Sequence, residues 1–371
     1  MLADRLDDLH AATAAPITAR RPWLSTWLSC FPQYQPVAVA VERADGRLDA
    51  VALLARSRRL GVTHVFGMGH GPSDQLRLPA RNAAAAEELS RGLVDYLRTL
   101  PRPWRLLLRH LPQDDAVAAL VASRLRHASL PLGDVSPVTR FTADRRLRTY
   151  VSRNHHQQVR RMLNRIDRDG LKADIAVLTD PREVAPLVDE VQEVSRDRDL
   201  ELRGWSGLED GSRGPFFRRV ILQHAERREV VLTTLRLDEQ LAAYVLCFRD
   251  GRAHRMWSCR VAPRWKRYGA GRLANNAALE HALADDGCDE FDWMRGDEPY
   301  KRSMANDVEL ARDLMAWSSA AVGRAADARR RLKVLVKTAA ERHDTVARAL
   351  PYAQTLGRPG ALVRRRRASR T

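Results

Sequence analysis

The stretch APRWKRYGAGRLANNAALEHALADDG, residues 262–287, organises the rest of the chain. It follows AHRMWSCRV (253–261), which has the β-branched and aromatic content of a buried strand. Apolar residues recur at helical spacing after Gly271, and Gly287 provides a natural C-terminal cap. The segment CDEFDWM (288–294) then predicts a short strand. The sequence therefore predicts a strand, a glycine turn, a helix and a second strand, in that order.

The turn between this strand and helix has the properties of an anion site. Gly269 and Gly271 allow a ligand to approach the backbone closely, and the first N–H groups of a helix lack partners inside it. Cationic side chains surround the turn and raise the local potential: Arg264, Lys266, Arg267 and Arg272. We predict that the amides of 267–272 hold a pyrophosphate. The spacing fits neither the dinucleotide fingerprint GxGxxG nor the nucleotide triphosphatase loop.

This turn resembles the coenzyme A loop of the GNAT acyltransferase superfamily, [Q/R]-x-x-G-x-[G/A], with Lys266 in place of Gln or Arg. With GDEPYK (296–301) and SRNHHQQVRR (152–161), the chain looks like the CelD-like branch, linked to polysaccharide or cell-envelope biosynthesis. The resemblance implies acetyl-CoA or another acyl-CoA as co-substrate and no metal. The cofactor-binding residues that it implies are Lys266, Arg267, Tyr268, Gly269, Ala270, Gly271 and Arg272.

Acyl transfer from a thioester needs a base for the acceptor and an acid for the departing thiolate. Many GNAT enzymes hold the acid just after the strand that matches 288–294, so the resemblance points to Tyr300. A packing tyrosine is the alternative. Asp297 and Glu298 are the candidate bases, Glu298 being preferred, because they follow a strand at its carboxyl end. They could instead be loop acids paired with Arg295 or Lys301.

Three residues are candidates for acceptor binding. Lys301 could bind an anionic substrate or serve as an ion-pair partner. Asp74 lies in the loop HGPSDQLRLP (70–79), where similar CelD-like proteins carry an acid facing the substrate, although a turn aspartate is an equal alternative. Arg153, like Arg160 and Arg161 on the same helix, could bind an anionic acceptor or simply be solvated. The adjacent histidines, His155 and His156, could act as bases or lie exposed.

Element patterns predict an α/β fold with a mixed sheet, built as two tandem GNAT-like modules with a basic helical tail. The first half reads as a hairpin (35–43 and 47–58), strand 61–69, helix 80–100, strand 104–112 and helix 114–128. The second half reads as helix 152–170, strand 172–180, helices 181–200 and 214–228, three antiparallel strands within 228–261, and a final strand at 307–318. We place the modules at 1–145 and 146–320 and the tail at 321–371. The first module lacks the glycine turn, which suggests that it shapes the acceptor site.

Composition favours a cytoplasmic protein. The 371 residues contain no run of 18 apolar residues, which disfavours a transmembrane helix, and the four isolated cysteines favour reduced core residues. The formal charge is +17, with arginine runs at 329–331 and 364–367. These runs are either a solvated surface or an attachment to an anionic membrane face, placing the protein at the inner side of the plasma membrane. Nucleic acid is disfavoured, because no basic motif is interleaved with aromatic residues.

Three functions are compatible with these patterns. The preferred one is an N- or O-acyltransferase that moves an acyl group from acyl-CoA to an amine or hydroxyl of a saccharide or cell-envelope precursor. Tandem GNAT-like modules are also the layout of Fem-type transferases, which use aminoacyl-tRNA. The third is a non-catalytic scaffold docked to a membrane by its basic tail.

Overall fold

The computed structural model describes residues 2–324, together with Ala328 and Leu335. The strands are β1 Gln35–Glu42, β2 Leu48–Arg59, β3 Val62–Gly67, β4 Trp104–Pro112, β5 Ala128–Ser129, β6 Leu132–Arg140, β7 Ala173–Leu178, β8 Val230–Leu237, β9 Gln240–Asp250, β10 Ala253–Val261, β11 Glu290–Asp292 and β12 Asp307–Trp317. The α-helices are α1 Leu2–Ala12, α2 Arg21–Cys30, α3 Ala83–Thr99, α4 Ala116–Arg124, α5 Arg153–Arg168, α6 Pro181–Val184, α7 Val188–Arg203, α8 Arg213–Glu226, α9 Ala270–Ala284 and α10 Pro299–Arg302.

The strands form one mixed sheet in the order β1-β2-β3-β4-β12-β6-β11-β10-β9-β8-β7, with β5 beside β12. Two neighbouring pairs are parallel, β3 with β4 and β10 with β11. Each parallel pair is joined by a crossover that contains a helix, α3 in the first half and α9 in the second. The mixed α/β class is therefore confirmed, and the same strand–helix–strand unit occurs in both halves.

The two halves exchange strands at the centre of the sheet. Strand β6, from the first half, lies between β11 and β12 of the second half. Strand β12 in turn pairs with β4 of the first half. The division at 145/146 stays a prediction, but each half is hydrogen-bonded to a strand from the other, so we expect the two halves to fold together.

Most predicted elements occur close to their predicted bounds, including the hairpin of β1 and β2. Three differ. The predicted helix 181–200 is divided by a 3-10 turn at Ala185–Leu187, where Pro186 removes a backbone donor. The predicted strand 288–294 is reduced to Glu290–Asp292, because Asp292 Oδ1 accepts from the Met294 amide and turns the chain. Strand β6 was not predicted.

The aromatic residues of α2 and of its C-cap form part of the core. Trp23 and Trp27 are fully buried and Phe31 nearly so. Trp23 packs edge-on against Phe216 of α8, at 5.3 Å between ring centroids. This contact joins the first half of the chain to the second. Among the described residues, no helix has the length and apolar character needed to cross a bilayer. The predicted basic helical tail at 321–371 lies almost wholly outside the residues that the structure describes, and so do both arginine runs.

Candidate functional site

Strands β10 and β11 pair over only three residues and then separate. Their parallel register ends at Arg255 and Asp292, while β10 continues to Val261 along β9. The register of β10 against β9 shifts between Met256 and Ser258, so the strand bulges there. The β11 side of residues 257–261 is therefore a strand edge within the sheet, where an extended ligand can pair with the backbone.

The predicted anion site lies directly after this edge. A 3-10 turn, Pro263–Tyr268, leads to Gly269, which has φ +68° and is followed by α9. No side chain caps the start of α9. Both glycines allow close protein packing: a Cβ at Gly269 would clash with Met162 Sδ of α5, and one at Gly271 would lie 2.5 Å from Val261 Cγ2. The glycines thus bring the helix start against β10 and α5, with its first amides uncapped.

The basic side chains of this turn are mostly engaged by protein partners. Lys266 Nζ lies 2.5 Å from Glu201 Oε2, and Arg267 pairs with Asp169 at 3.4 Å. Tyr268 is buried in the core and its hydroxyl donates to Asp169 at 3.0 Å, and Ala270 is fully buried. Lys266 and Arg267 can contact a ligand with their side chains only by leaving these carboxylates. The half-buried Arg272 can also offer its side chain, whereas Tyr268 and Ala270 can offer only backbone groups.

Tyr300 lies on α10 and faces the free edge of β10. Its hydroxyl is 3.4 Å from Cys259 Sγ, and its ring meets Trp293 edge-on. Burial, followed by the neighbouring Cys259 and the charge of Glu298, raises the pKa of Tyr300 far above its ordinary value. The hydroxyl is therefore protonated at neutral pH, as that of an unperturbed tyrosine also is, and the raised pKa makes it a weaker acid.

The two candidate bases point to different partners. Glu298 Oε2 lies 3.1 Å from Lys301 Nζ. Lys301 is 5% exposed and also donates to the Arg295 carbonyl at 2.6 Å. Asp297 is exposed and pairs with Arg302, whose hydrogen bond holds the pKa of Asp297 below its ordinary value. Lys301 is thus the centre of the 296–301 loop, with Glu298 as its ion-pair partner.

Three tryptophans hold the loop 70–75 of the first half against this region. Trp27 donates its indole N–H to the His70 carbonyl at 3.2 Å, and Trp23 donates to Ser73 Oγ at 2.8 Å. Trp257, at the bulge of β10, donates to the Pro72 carbonyl at 3.1 Å. The first half of the chain is thereby anchored beside the strand edge of the second.

Asp74 is partly buried in this loop and forms an ion pair across the two halves. Arg295 Nη2 lies 3.1 Å from Asp74 Oδ1. Burial raises the pKa of Asp74, and Arg295 partly opposes the shift. Beside it, Gln75 Nε2 donates to Asp292 Oδ2 at 3.1 Å. The structure thus brings Asp74 to the 294–301 loop, which the sequence alone could not predict.

Residues on α5 have contrasting surroundings. Arg153 is exposed at the first turn, and Arg160 and Arg161 are exposed farther along the helix. His155 is buried and its Nε2 lies 3.0 Å from Asn276 Oδ1, whereas His156 is exposed. His155 therefore fixes α5 to α9, and Arg153 lies on the outward face.

Sequence reasoning missed a buried charge network behind the strand edge. Arg255 donates to Asp250 and to Asp292, at 2.7 Å each. Isolated charges in strand sequences carry no signal of such pairing, because the partners lie on three neighbouring strands.

Sequence reasoning also missed Arg109 and His110, which line an open cleft in the first half. The described residues contain no group of three or more metal-ligating side chains placed to hold an ion.

Comparison with known proteins supports the resemblance to the GNAT superfamily. Residues 153–302 match the family described as "Acetyltransferase (GNAT) domain". A search of the curated proteins finds no match. Among solved structures, FemX is similar over 83% of this chain and 95% of its own, with 10% identity and a TM-score of 0.55. A conserved Bacteroides thetaiotaomicron protein covers 85% and 97%, with 14% identity and a TM-score of 0.54. L-PGS from Bacillus licheniformis covers 84% and 90%, with 11% identity and a TM-score of 0.50.

The second half of the chain therefore carries a GNAT acetyltransferase domain, which indicates an acyltransferase. At these identities the structural likenesses show the fold alone, and they extend over both halves of the chain.

Proposed function

We propose that this protein is a GNAT-type acyltransferase that uses acyl-CoA, as the CelD-like resemblance implies. It transfers an acetyl or longer acyl group to an amine or hydroxyl of a saccharide or cell-envelope precursor. The separation of β10 from β11 beyond Arg255, directly before the uncapped start of α9, carries this proposal. The free edge of β10 would bind the amides of the pantetheine arm, and the first amides of α9 would bind the pyrophosphate.

In the proposed reaction, the acceptor nitrogen or oxygen attacks the carbonyl carbon of the thioester. The carbon–sulfur bond breaks, a base takes the acceptor proton, and an acid protonates the thiolate. We assign Tyr300 as the acid, because its hydroxyl lies at the strand edge, 3.4 Å from Cys259 Sγ. Glu298 is the preferred base, with Lys301 positioning its carboxylate. Asp297 is the less favoured base, since it pairs with Arg302 on the exposed side.

The acceptor would approach from the first half of the chain. The loop 70–75 is fixed beside the bulge of β10, and its Asp74 is paired with Arg295 next to the 296–301 loop. This arrangement supports an acceptor site that includes Asp74 and the neighbouring cleft. Arg153 lies on the outward face of α5, where it could contact a distant part of an anionic acceptor.

Calorimetry with acetyl-CoA tests the donor assignment. The Gly271→Glu variant places a charged side chain against Val261 at the start of α9 and is expected to abolish binding. Gly211→Glu is the matched control, because a Cβ at Gly211 meets nothing within 4 Å. Arg272→Glu, which reverses a half-buried charge in the first turn of α9, serves if Gly271→Glu does not fold. Absence of binding by the intact chain would refute the proposal.

A Fem-type reaction with aminoacyl-tRNA is the second candidate. The exposed arginines of α5, Arg153, Arg160 and Arg161, form no ion pair within the described residues and favour a polyanionic donor. The structural likeness to FemX extends over most of the chain. If nuclease treatment of the assay abolishes transfer while acetyl-CoA fails to bind, this candidate replaces the first. Transfer that survives nuclease excludes it.

We further propose a cytoplasmic location, with attachment to an anionic membrane face through the basic tail. The arginine runs of the sequence support this attachment. Flotation with vesicles containing anionic lipid is expected for the full chain and not for a chain ending at residue 322. Equal flotation of both chains would exclude the tail as the anchor. Acyl-CoA binding without turnover on any acceptor would favour a scaffold over an enzyme.

A further inference from the structure

The first half of the chain has its own strand separation, and an open cleft lies there. Strand β3 ends at Gly67, while its parallel neighbour β4 continues to Pro112. The cleft at this point is open to solvent. Its polar lining includes His70, Arg109 and His110 of the first half and Arg295 of the second.

The backbone at His110 adopts a conformation that is uncommon for its residue type. Its φ is +60°, in the left-handed region. The register of β4 against β12 shifts at this point, and Asp313 of β12 fills the irregularity. The Asp313 carboxylate accepts from the His110 amide and from Arg109 Nε, at 3.1 Å each. Strained non-glycine residues fixed by their surroundings cluster at functional sites.

One ring nitrogen of His110 is a buried donor without a partner. Arg295 Nη1 donates to His110 Nε2 at 2.7 Å, so Nε2 is an acceptor and Nδ1 carries the proton of the neutral ring. Burial, followed by the charges of Arg295 and Arg109, lowers the pKa of His110 to about 4, which keeps the ring neutral. The residue is 7% exposed, and no hydrogen bond reaches Nδ1 within the described part of the chain.

Three donors converge on one carboxylate oxygen without bonding to it. Asp134 Oδ2 lies 3.8 Å from each of His110 Nδ1, Arg109 Nη2 and Arg295 Nε. These distances exceed those of hydrogen bonds. The Asp134 side chain is 45% exposed and forms no hydrogen bond with the described residues, so it is free to turn towards solvent.

We propose that this cleft binds an oxyanion of the acceptor, a carboxylate or a phosphate, through His110 Nδ1–H, Arg109 and Arg295. The ligand oxyanion displaces Asp134 and takes its place between the three donors. Because one anion replaces another, the balance of charge among Arg109, Arg295, Asp74 and Asp313 is preserved. This inference rests on the proposed function, since it takes the cleft as the acceptor side of the enzyme.

Titration of the full chain with inorganic phosphate and, separately, with acetate tests the site, read by ³¹P and ¹³C line broadening. Asp134→Ala removes the competing carboxylate and is expected to tighten binding by about tenfold. Arg109→Gln is expected to weaken it by about tenfold. Arg58→Gln, at an exposed arginine outside the cleft, is the matched control and leaves binding unchanged. The anion that responds to Asp134→Ala identifies the acceptor group as phosphate or carboxylate.

The Asp134→Ala result decides the inference. If this variant binds neither anion more tightly than the unaltered chain, the displacement is refuted. If Arg109→Gln disturbs the bulge of β4, His110→Gln replaces it, because glutamine is close in size to histidine. Unchanged anion affinity in His110→Gln would also contradict the site. Calorimetry with acetyl-CoA is expected to give the same affinity for Asp134→Ala and the unaltered chain. Acetyl-CoA binding without an anion response would refute this inference alone, and an anion response without acetyl-CoA binding would refute the proposed donor alone.

Discussion

Helices α3 and α9 each lie in the crossover that joins a parallel pair of strands, and they begin in different ways. At α3, the Asn82 side chain accepts from the Ala85 amide at 2.9 Å. At α9, Gly269 occupies the same position in the left-handed conformation and provides no side chain. The first helix satisfies one of its own initial amides, whereas the second leaves them to water or to a ligand.

The strand edges in the two halves of the chain also differ in what they offer to a ligand. In the second half, β10 offers backbone groups, with the Tyr300 hydroxyl at its edge. In the first half, the cleft offers side-chain donors, Arg109 and His110, around a bulge held by Asp313. In the proposed enzyme, the second half would bind an extended ligand with a phosphate end, and the first half would bind a compact polar group. A duplicated frame can divide donor and acceptor between its copies in this way.

The largest effect that we expect concerns Tyr300. The Tyr300→Phe variant should reduce kcat for thiol release from acetyl-CoA by about 100-fold, because the departing thiolate loses its acid. Its Kd for acetyl-CoA should be unchanged, since the hydroxyl acts in the transition state. Tyr96→Phe, on α3 of the first half, is the control and should retain full activity. If Tyr300→Phe and Tyr96→Phe had equal kcat, Tyr300 would not be the acid, and the second half would not be distinguished by a catalytic tyrosine.

The second effect is on acid stability. Burial lowers the pKa of His10, His70 and His110 in the first half to about 4, and that of His254 in the second half likewise. The folded state prefers the neutral rings, so their stability contribution is complete above the unfolded pKa of about 6.5 and is lost as pH falls towards 4. We expect a loss of roughly 2 kcal/mol per histidine at pH 5.

Urea unfolding at pH 7 and pH 5 measures this loss. His110→Gln should lose less stability on acidification than the unaltered chain, because glutamine does not titrate. His156→Gln, at an exposed histidine, should lose as much as the unaltered chain. The same acid dependence in all three would show that His110 is not held neutral.

The third prediction transfers the cap of α3 to α9. In Gly269→Asn, the new side chain can adopt the left-handed conformation that asparagine tolerates and can accept from the first amides of α9. Met162 obstructs the new Cβ, so the substitution is made with Met162→Ala. Calorimetry should show acetyl-CoA bound about tenfold more weakly than by Met162→Ala alone, because ligand and side chain compete. Unchanged affinity would mean that these amides do not contact the ligand.

Local sequence patterns predicted that only the second half has the glycine turn. The features that these patterns could not predict depend on long-range contacts. The order of strand, KRYGAG and helix placed the turn at Gly269, since glycine spacing and helical period are local signals. The pairing of Asp74 with Arg295 spans 221 positions and depends on the loop being fixed by tryptophans from both halves. Strand β6 went unpredicted because its segment LGDVSPVTR combines Gly133 and Pro137 with little alternation, and only pairing with β11 and β12 stabilises it.

The smallest effect that we expect tests the capped helix directly. Asn82→Ala removes the side chain that accepts from the Ala85 amide and should lower the free energy of unfolding by about 1 kcal/mol. Acetyl-CoA affinity should not change, because α3 takes no part in donor binding. Asn154→Ala, at an exposed position on α5, is the control and should alter neither quantity. Calorimetry of Asn82→Ala could instead show a second acetyl-CoA binding event. In that case, the Asn82 cap alone would be what prevents the first half from binding acetyl-CoA.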